Sequence, residues 1–229
     1  MDAAEASQQL QAMLQTASQP ALSEATARKF AGYFSLYQRW NARLNLSAVR
    51  NEIDVLSIHL FESIIVSRYI PMNVHSLLDF GSGAGLPGIP IALCRPEIAV
   101  TMAESQGKKA AFLQEAVRES KIEAQVYGGR AETLEKRFDC VTLRAVDRMQ
   151  RAVAAAAQLV APSGWLAPLT TRKELPQIVA AAGRDFSFGE PIALPGSMQR
   201  VLALAQRQGA REPRLQGLSH EPLQTSQKL

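Results

Sequence analysis

Leu78-Asp79-Phe80-Gly81-Ser82-Gly83-Ala84-Gly85-Leu86-Pro87-Gly88 is the stretch on which the reading of this chain turns. The apolar run 74–80 suits a strand buried on both faces, and the glycines after it suit a tight turn into a helix. Outward from this turn, strand and helix patterns alternate. Helices are expected at about 87–94, 107–120, 147–160 and 174–182, with strands at 99–104, 124–128, 139–145 and 165–170. A variable piece runs through Lys136. Two closing strands near 186–193 and 200–206 are joined by a turn at Pro195-Gly196. Alternation of this kind predicts a doubly wound α/β fold, a parallel sheet with helices on both faces, and the short closing turn adds an antiparallel strand.

Residues 1–72 carry no strand signal. Helices are expected over 4–17, from Ser23 to Leu44 and from about 53 to 70, where Pro71 ends the last. The chain thus divides into a helical cap (1–72), a ligand-binding domain (73–206) and a loose tail (207–229). With 229 residues, 47% of them hydrophobic, it can bury roughly 70% of its open-chain surface, which excludes whole-chain disorder. No long uncharged apolar run suggests a membrane span, and the first ten residues lack a secretory pattern. Cys94 and Cys140 lie in apolar segments and read as core thiols of a reducing, cytoplasmic protein; no metal-ligand cluster is visible. The formal charge is +4. Residues 1–75 hold six basic and six acidic side chains, so the whole excess lies beyond them.

The glycine turn carries two overlapping signatures. Gly83-x-Gly85-x-x-Gly88 fits a dinucleotide fingerprint, and Asp79-x-Gly81-x-Gly83-x-Gly85 fits the loop by which many methyltransferases hold S-adenosylmethionine. Glu104, at the next strand end, can bind ribose hydroxyls under either reading. Asp79 discriminates: a carboxylate two residues before the first glycine repels a pyrophosphate but suits a ligand carrying a sulfonium and an ammonium. S-adenosylmethionine is therefore favoured over a nicotinamide cofactor. A nicotinamide oxidoreductase would also need a catalytic acid or base, and His59, His75 and His220 are poorly placed for that.

Between Phe30 and Ala205 the chain resembles the glucose-inhibited division protein B family, the guanine-N7 methyltransferases of bacterial 16S ribosomal RNA. The resemblance rests on Arg39-Trp40-Asn41 with Asn45-Leu46, His59-Leu60-x-x-Ser63, the loop from Asp79 through Gly88-Ile89-Pro90, Glu104-Ser105-x-Gly107-Lys108, Arg130-x-Glu132 and Arg144-Ala145. It implies a seven-stranded class I methyltransferase sheet with an N-terminal cap. It further implies that Asp79, Gly81, Gly83, Leu86, Glu104, Ala131, Glu132 and Arg144 hold the cofactor, with Arg144 also facing RNA. Leu169-Thr170-Thr171-Arg172-Lys173 stands where the family usually shows Leu-Lys-Gly, so the lysine is displaced or its role has moved to Arg172 or Lys173.

Guanine N7 has a free lone pair, so no general base is needed and none is assigned. The implied partner is 16S ribosomal RNA or the small subunit, met by a monomer; a related enzyme acting on another RNA is the alternative. His59 reads as a buried residue with one hydrogen bond and Trp40 as a packing residue. Asn41 and Asn45 read as bonding the crossing chain or RNA, and Lys108 and Lys109 as solvated charge.

Overall fold

The computed structural model describes residues 1–209. Helix α1 (Ala3–Thr16) opens on a reciprocal box in which Asp2 accepts from the Glu5 amide and Glu5 from the Asp2 amide. Helix α2 (Glu24–Leu44) starts at Ser23, whose Oγ accepts from the Thr26 amide, and ends at left-handed Asn45. One continuous helical rod follows, made of α3 (Glu52–Asp54), a π-helical stretch (Val55–Phe61) and α4 (Glu62–Tyr69). The spacing of Ile53, Leu56, Leu60 and Ile64 foretells the rod but not its widened middle turn.

The alternating region then runs β1 (Ser76–Phe80), α5 (Gly88–Cys94), β2 (Ala99–Ala103), α6 (Gly107–Ser120), β3 (Ala124–Tyr127) and a 3-10 turn (Ala131–Thr133). It continues through β4 (Phe138–Arg144), α7 (Met149–Gln158), β5 (Val160–Thr171) and α8 (Leu175–Ala182). The closing segments are β6 (Phe186–Phe188), β7 (Ile192–Ala193), β8 (Arg200–Leu202) and β9 (Ala205–Arg207). Strands β3, β2, β1, β4 and β5 lie side by side and parallel. Both β8 and β9 run antiparallel to β5, and β7 and β6 pair antiparallel with them in turn.

The expected seven strands are present, with the last two each broken once. Pro191, which has no N–H for a ladder, falls in the first break. Strand β9 takes in Arg207, so the expected tail begins later than residue 207; residues 210–229 lie outside the described part.

Strand alternation divides the core. Leu78, Phe80, Val141 and Leu143 face the α7 and α8 side. Leu77, Val100, Met102 and Cys140 face the other, where one unbroken cluster runs on through Phe30, Phe34 and Tyr37 to Leu10 and Leu14. The helical segment and the sheet therefore share one core. The same alternation sends Asp79, Thr142 and Arg144 toward the helical layer. No helix among the described residues is long and apolar enough to cross a membrane. Cys94 and Cys140 are both free thiols.

Candidate active site

Two clefts open at the C-terminal edge of the parallel strands, on either side of Val146. The glycine turn shapes the first. Gly81 adopts φ +67°, and a Cβ there would stand 3.1 Å from Val146 Cγ2. At Gly88 a Cβ would meet Asp79 Oδ2 at 2.8 Å and Met102 Cγ at 2.9 Å, so only glycine lets α5 begin against β1.

Asp79 is the reason for that close approach. Its Oδ2 accepts from Ser82 Oγ and from the Gly88 amide (3.1 Å), and its Oδ1 accepts from Thr142 Oγ1 (3.1 Å). Burial pushes the carboxyl up to about 6, against the pull of those hydrogen bonds. From the sequence, this carboxylate is expected to meet a cationic ligand. The structure instead places it beneath the loop, where it pins both ends of the turn.

Glu104 lies just past β2 and clasps the turn from the other side. Its Oε2 accepts from the Gly83 amide (2.9 Å) and its Oε1 from the Gln106 amide (2.7 Å). An ionised carboxylate has about four lone-pair sites, so capacity remains for two hydroxyls. The first cleft, ≈ 560 Å³, runs from Phe80, Gly81 and Ala103 to Ala131 and Glu132, with Arg130, Arg148 and Arg151 exposed along its rim. Leu86 packs into the core instead of lining it. The helical layer touches the turn directly: buried Tyr33 donates to the Ala84 carbonyl at 2.5 Å.

The second cleft, ≈ 400 Å³, has apolar walls from Met149, Leu169 and Leu194 and a charged end. Glu62 is fully buried there between two arginines. Arg200 Nε donates to Glu62 Oε1 at 2.6 Å, and Arg144 Nη2 reaches Oε2 at 3.5 Å. Burial raises the Glu62 carboxyl and the two guanidiniums draw it back. The Nη2 of Arg144 also donates to the Ile58 carbonyl (2.8 Å) and to His59 Nδ1 (3.3 Å), while its Nη1 is buried without a protein partner among the described residues. His59 is thereby fixed as a neutral ring, its pKa lowered to about 3 by burial and by the flanking Arg144 and Arg200. With Nδ1 accepting, Nε2–H donates to Ser47 Oγ at 2.7 Å.

The expected pieces therefore come together unevenly. Gly81, Ala131 and Glu132 line the first cleft, Gly83 and Glu104 brace each other, and Arg144 closes the second. Arg172 and Lys173 are exposed after β5 and line neither cleft; their neighbours Thr170 and Thr171 do. Trp40 packs edge-on against Phe112 at 5.7 Å, and Asn41 bonds the crossing chain at Ser47. The sequence motifs do not point to Tyr33, Glu62, Glu174 or Arg200. Tyr33, Glu62 and Arg200 have partners far along the chain, and Glu174 bonds only the nearby Thr170 and Thr171, so no local pattern marks any of them as lining a cleft.

A 3-2-1-4-5 parallel sheet closed by antiparallel strands, with a glycine turn after β1 and an acid after β2, defines an S-adenosylmethionine-dependent methyltransferase of class I. Solved structures with this fold include magnesium protoporphyrin IX methyltransferase from Synechocystis, with bound S-adenosylmethionine (TM-score 0.55, 16% identity, covering 82% of this chain and 98% of that one). Another is the ribosomal protein L11 methylase of Lactobacillus delbrueckii (0.56, 11%, 70% and 81%).

The chain belongs to the rRNA small subunit methyltransferase G family, whose sequence model matches residues 26–186. Relatives named ribosomal RNA small subunit methyltransferase G are similar over 181 residues, 76% of this chain and 84% of theirs. They include proteins of Xanthomonas euvesicatoria (38% identical) and Stenotrophomonas maltophilia (35%).

Proposed function

We propose that this protein methylates N7 of a guanine in 16S ribosomal RNA, with S-adenosylmethionine in the first cleft and the guanine in the second. The observation that carries this reading is the pair of clefts meeting at Val146, one lined by Gly81 and by Ala103 and Ser105 on either side of Glu104, the other apolar-walled and ending in Arg144 and Arg200. Glu104 would take the ribose hydroxyls, and Ala131 with Glu132 the adenine end. When bound, the cofactor supplies a methyl carbon on a cationic sulfur, which leaves as a neutral thioether once the N7 lone pair has taken the methyl.

The chain's own task is alignment. N7 carries no proton, so nothing needs to be removed from it, and holding it in line at about 3–3.5 Å supplies the acceleration. His59 agrees with this from the negative side: a ring fixed as neutral, with its acceptor nitrogen turned to Arg144, is not a poised base. An arginine that gripped both O6 and N7 would block the reacting lone pair, so an orienting arginine can use O6 alone.

A duplex hides N7 in the deep, narrow major groove of A-form RNA, so the target base must be unpaired or turned out. The rim arginines Arg130, Arg148 and Arg151 are suited to phosphates on either side of it. Both clefts come from one chain, which suits a monomer, and the free thiols suit a reducing cytoplasm.

Chemical scission at N7-methylguanine in 16S RNA from a strain lacking the gene tests the reading. One cut should vanish and return with the wild-type gene but not with Glu104→Ala. If every N7-methylguanine persists in the deletion strain, the substrate assignment is wrong.

A further inference from the structure

The second cleft carries a carboxylate that the reaction itself does not call for. Glu174, the residue before α8, lines it together with the arginines. Its Oε2 accepts from Thr171 Oγ1 (3.0 Å) and Thr170 Oγ1 (3.3 Å), which holds the side chain against β5. Its Oε1 has no hydrogen-bond partner among the described residues. Arg200, paired in register with Thr171 on the neighbouring strand, is tied to Glu62 only through Nε, which leaves its two terminal nitrogens for something else. A guanine edge reads, in order, N2–H, N1–H, O6 and N7: two donors, then an acceptor, then the nucleophile. Adenine presents the opposite sense at the first ring positions.

We propose that Glu174 and Arg200 read the guanine edge, Glu174 accepting from N1–H and N2–H and Arg200 donating to O6, so that N7 is left unbonded toward Val146 and the first cleft. This rests on the function proposed above and adds how the base is chosen. Met149, Leu169 and Leu194 supply apolar surface for the ring faces. The two residues act at different stages. As N7 gains the methyl the ring becomes cationic and N1–H and N2–H become stronger donors, so Glu174 binds the transition state better than the ground state. O6 becomes a weaker acceptor over the same step, so Arg200 serves binding of the substrate.

The test uses full-length protein and small subunits reassembled on 16S RNA that is ligated to carry either guanosine or a single inosine, which lacks the N2 amine, at the methylated position. One hydrogen bond to a charged partner predicts that wild type favours guanosine by about tenfold in kcat/KM. Glu174→Gln should reduce that preference to about threefold or less and lower kcat. Arg200→Ala should raise KM on both RNAs with the preference retained, and both variants should bind S-adenosylmethionine as wild type does by calorimetry. Glu174→Ala repeats the test should the glutamine offer a bond of its own. A wild type indifferent to the N2 amine, or Glu174 variants that keep its full preference, would overturn the assignment. Absence of any methylation of the guanosine RNA by wild type would instead bring down the proposed function.

Discussion

Asp79 shows how much one residue beneath a loop can set. Its carboxyl bonds Ser82 at the start of the turn, Gly88 at the end and Thr142 on the neighbouring strand, all out of reach of water. Because burial raises it to about 6 from an ordinary 3.8, the folded protein holds that proton more tightly than the unfolded chain does. Its contribution to stability is therefore full below about pH 4 and is lost as pH rises through about 6. Asp79→Asn removes this dependence. Denaturant titrations should show the variant gaining on wild type by up to about 3 kcal/mol between pH 4 and pH 7. A constant difference across that range would place the carboxyl in water.

Residue chemistry was partly legible in advance. The positions of Gly81, Glu104 and Arg144 declare themselves because they stand at or just past strand ends at family spacing. The inward role of Asp79 does not, because sequence cannot say whether a carboxylate at a strand end faces the ligand or the next strand. Glu104→Ala should lower affinity for S-adenosylmethionine by at least about tenfold in calorimetry, through loss of charged hydrogen bonds.

At the scale of elements, the helical layer is part of the site. Helix α2 sends Tyr33 to the Ala84 carbonyl, and the π-helical stretch with the first residue of α4 brings Ile58, His59 and Glu62 onto one guanidinium. A widened turn changes which residues face a neighbour, and π-turns recur at functional sites for that reason. The apolar spacing from Ile53 to Ile64 cannot reveal it, since an α-helix satisfies the same pattern. The elements themselves were legible because each has its own period and stop signal. Their mutual packing joins residues far apart in the chain and was not.

Tyr33→Phe should cost about 1 kcal/mol of stability in denaturant melts and weaken cofactor binding by loosening the turn. Glu62→Ala leaves the buried Arg144 and the half-buried Arg200 without their shared counterion and should cost about 3 kcal/mol. A melt unchanged from wild type would show that Arg144 reaches water in solution.

For the whole molecule, the slight basic excess acquires a location. Arg130, Arg148 and Arg151 ring the first cleft, and Arg144 and Arg200 end the second. RNA association should therefore fall steeply with salt while cofactor binding barely responds. Replacing Arg148 and Arg151 by glutamine should weaken RNA binding and lower the log–log salt slope by about one for each phosphate no longer neutralised.

That one chain joins a cofactor cleft to a guanine cleft at Val146 is tested most directly by giving the purified protein methyl-labelled S-adenosylmethionine and small subunits from the deletion strain, then digesting the RNA. Label should appear in a single N7-methylguanine of 16S RNA and be lost in Glu104→Ala. Label on another atom or base, or none from a protein that binds S-adenosylmethionine, would contradict the two-cleft arrangement.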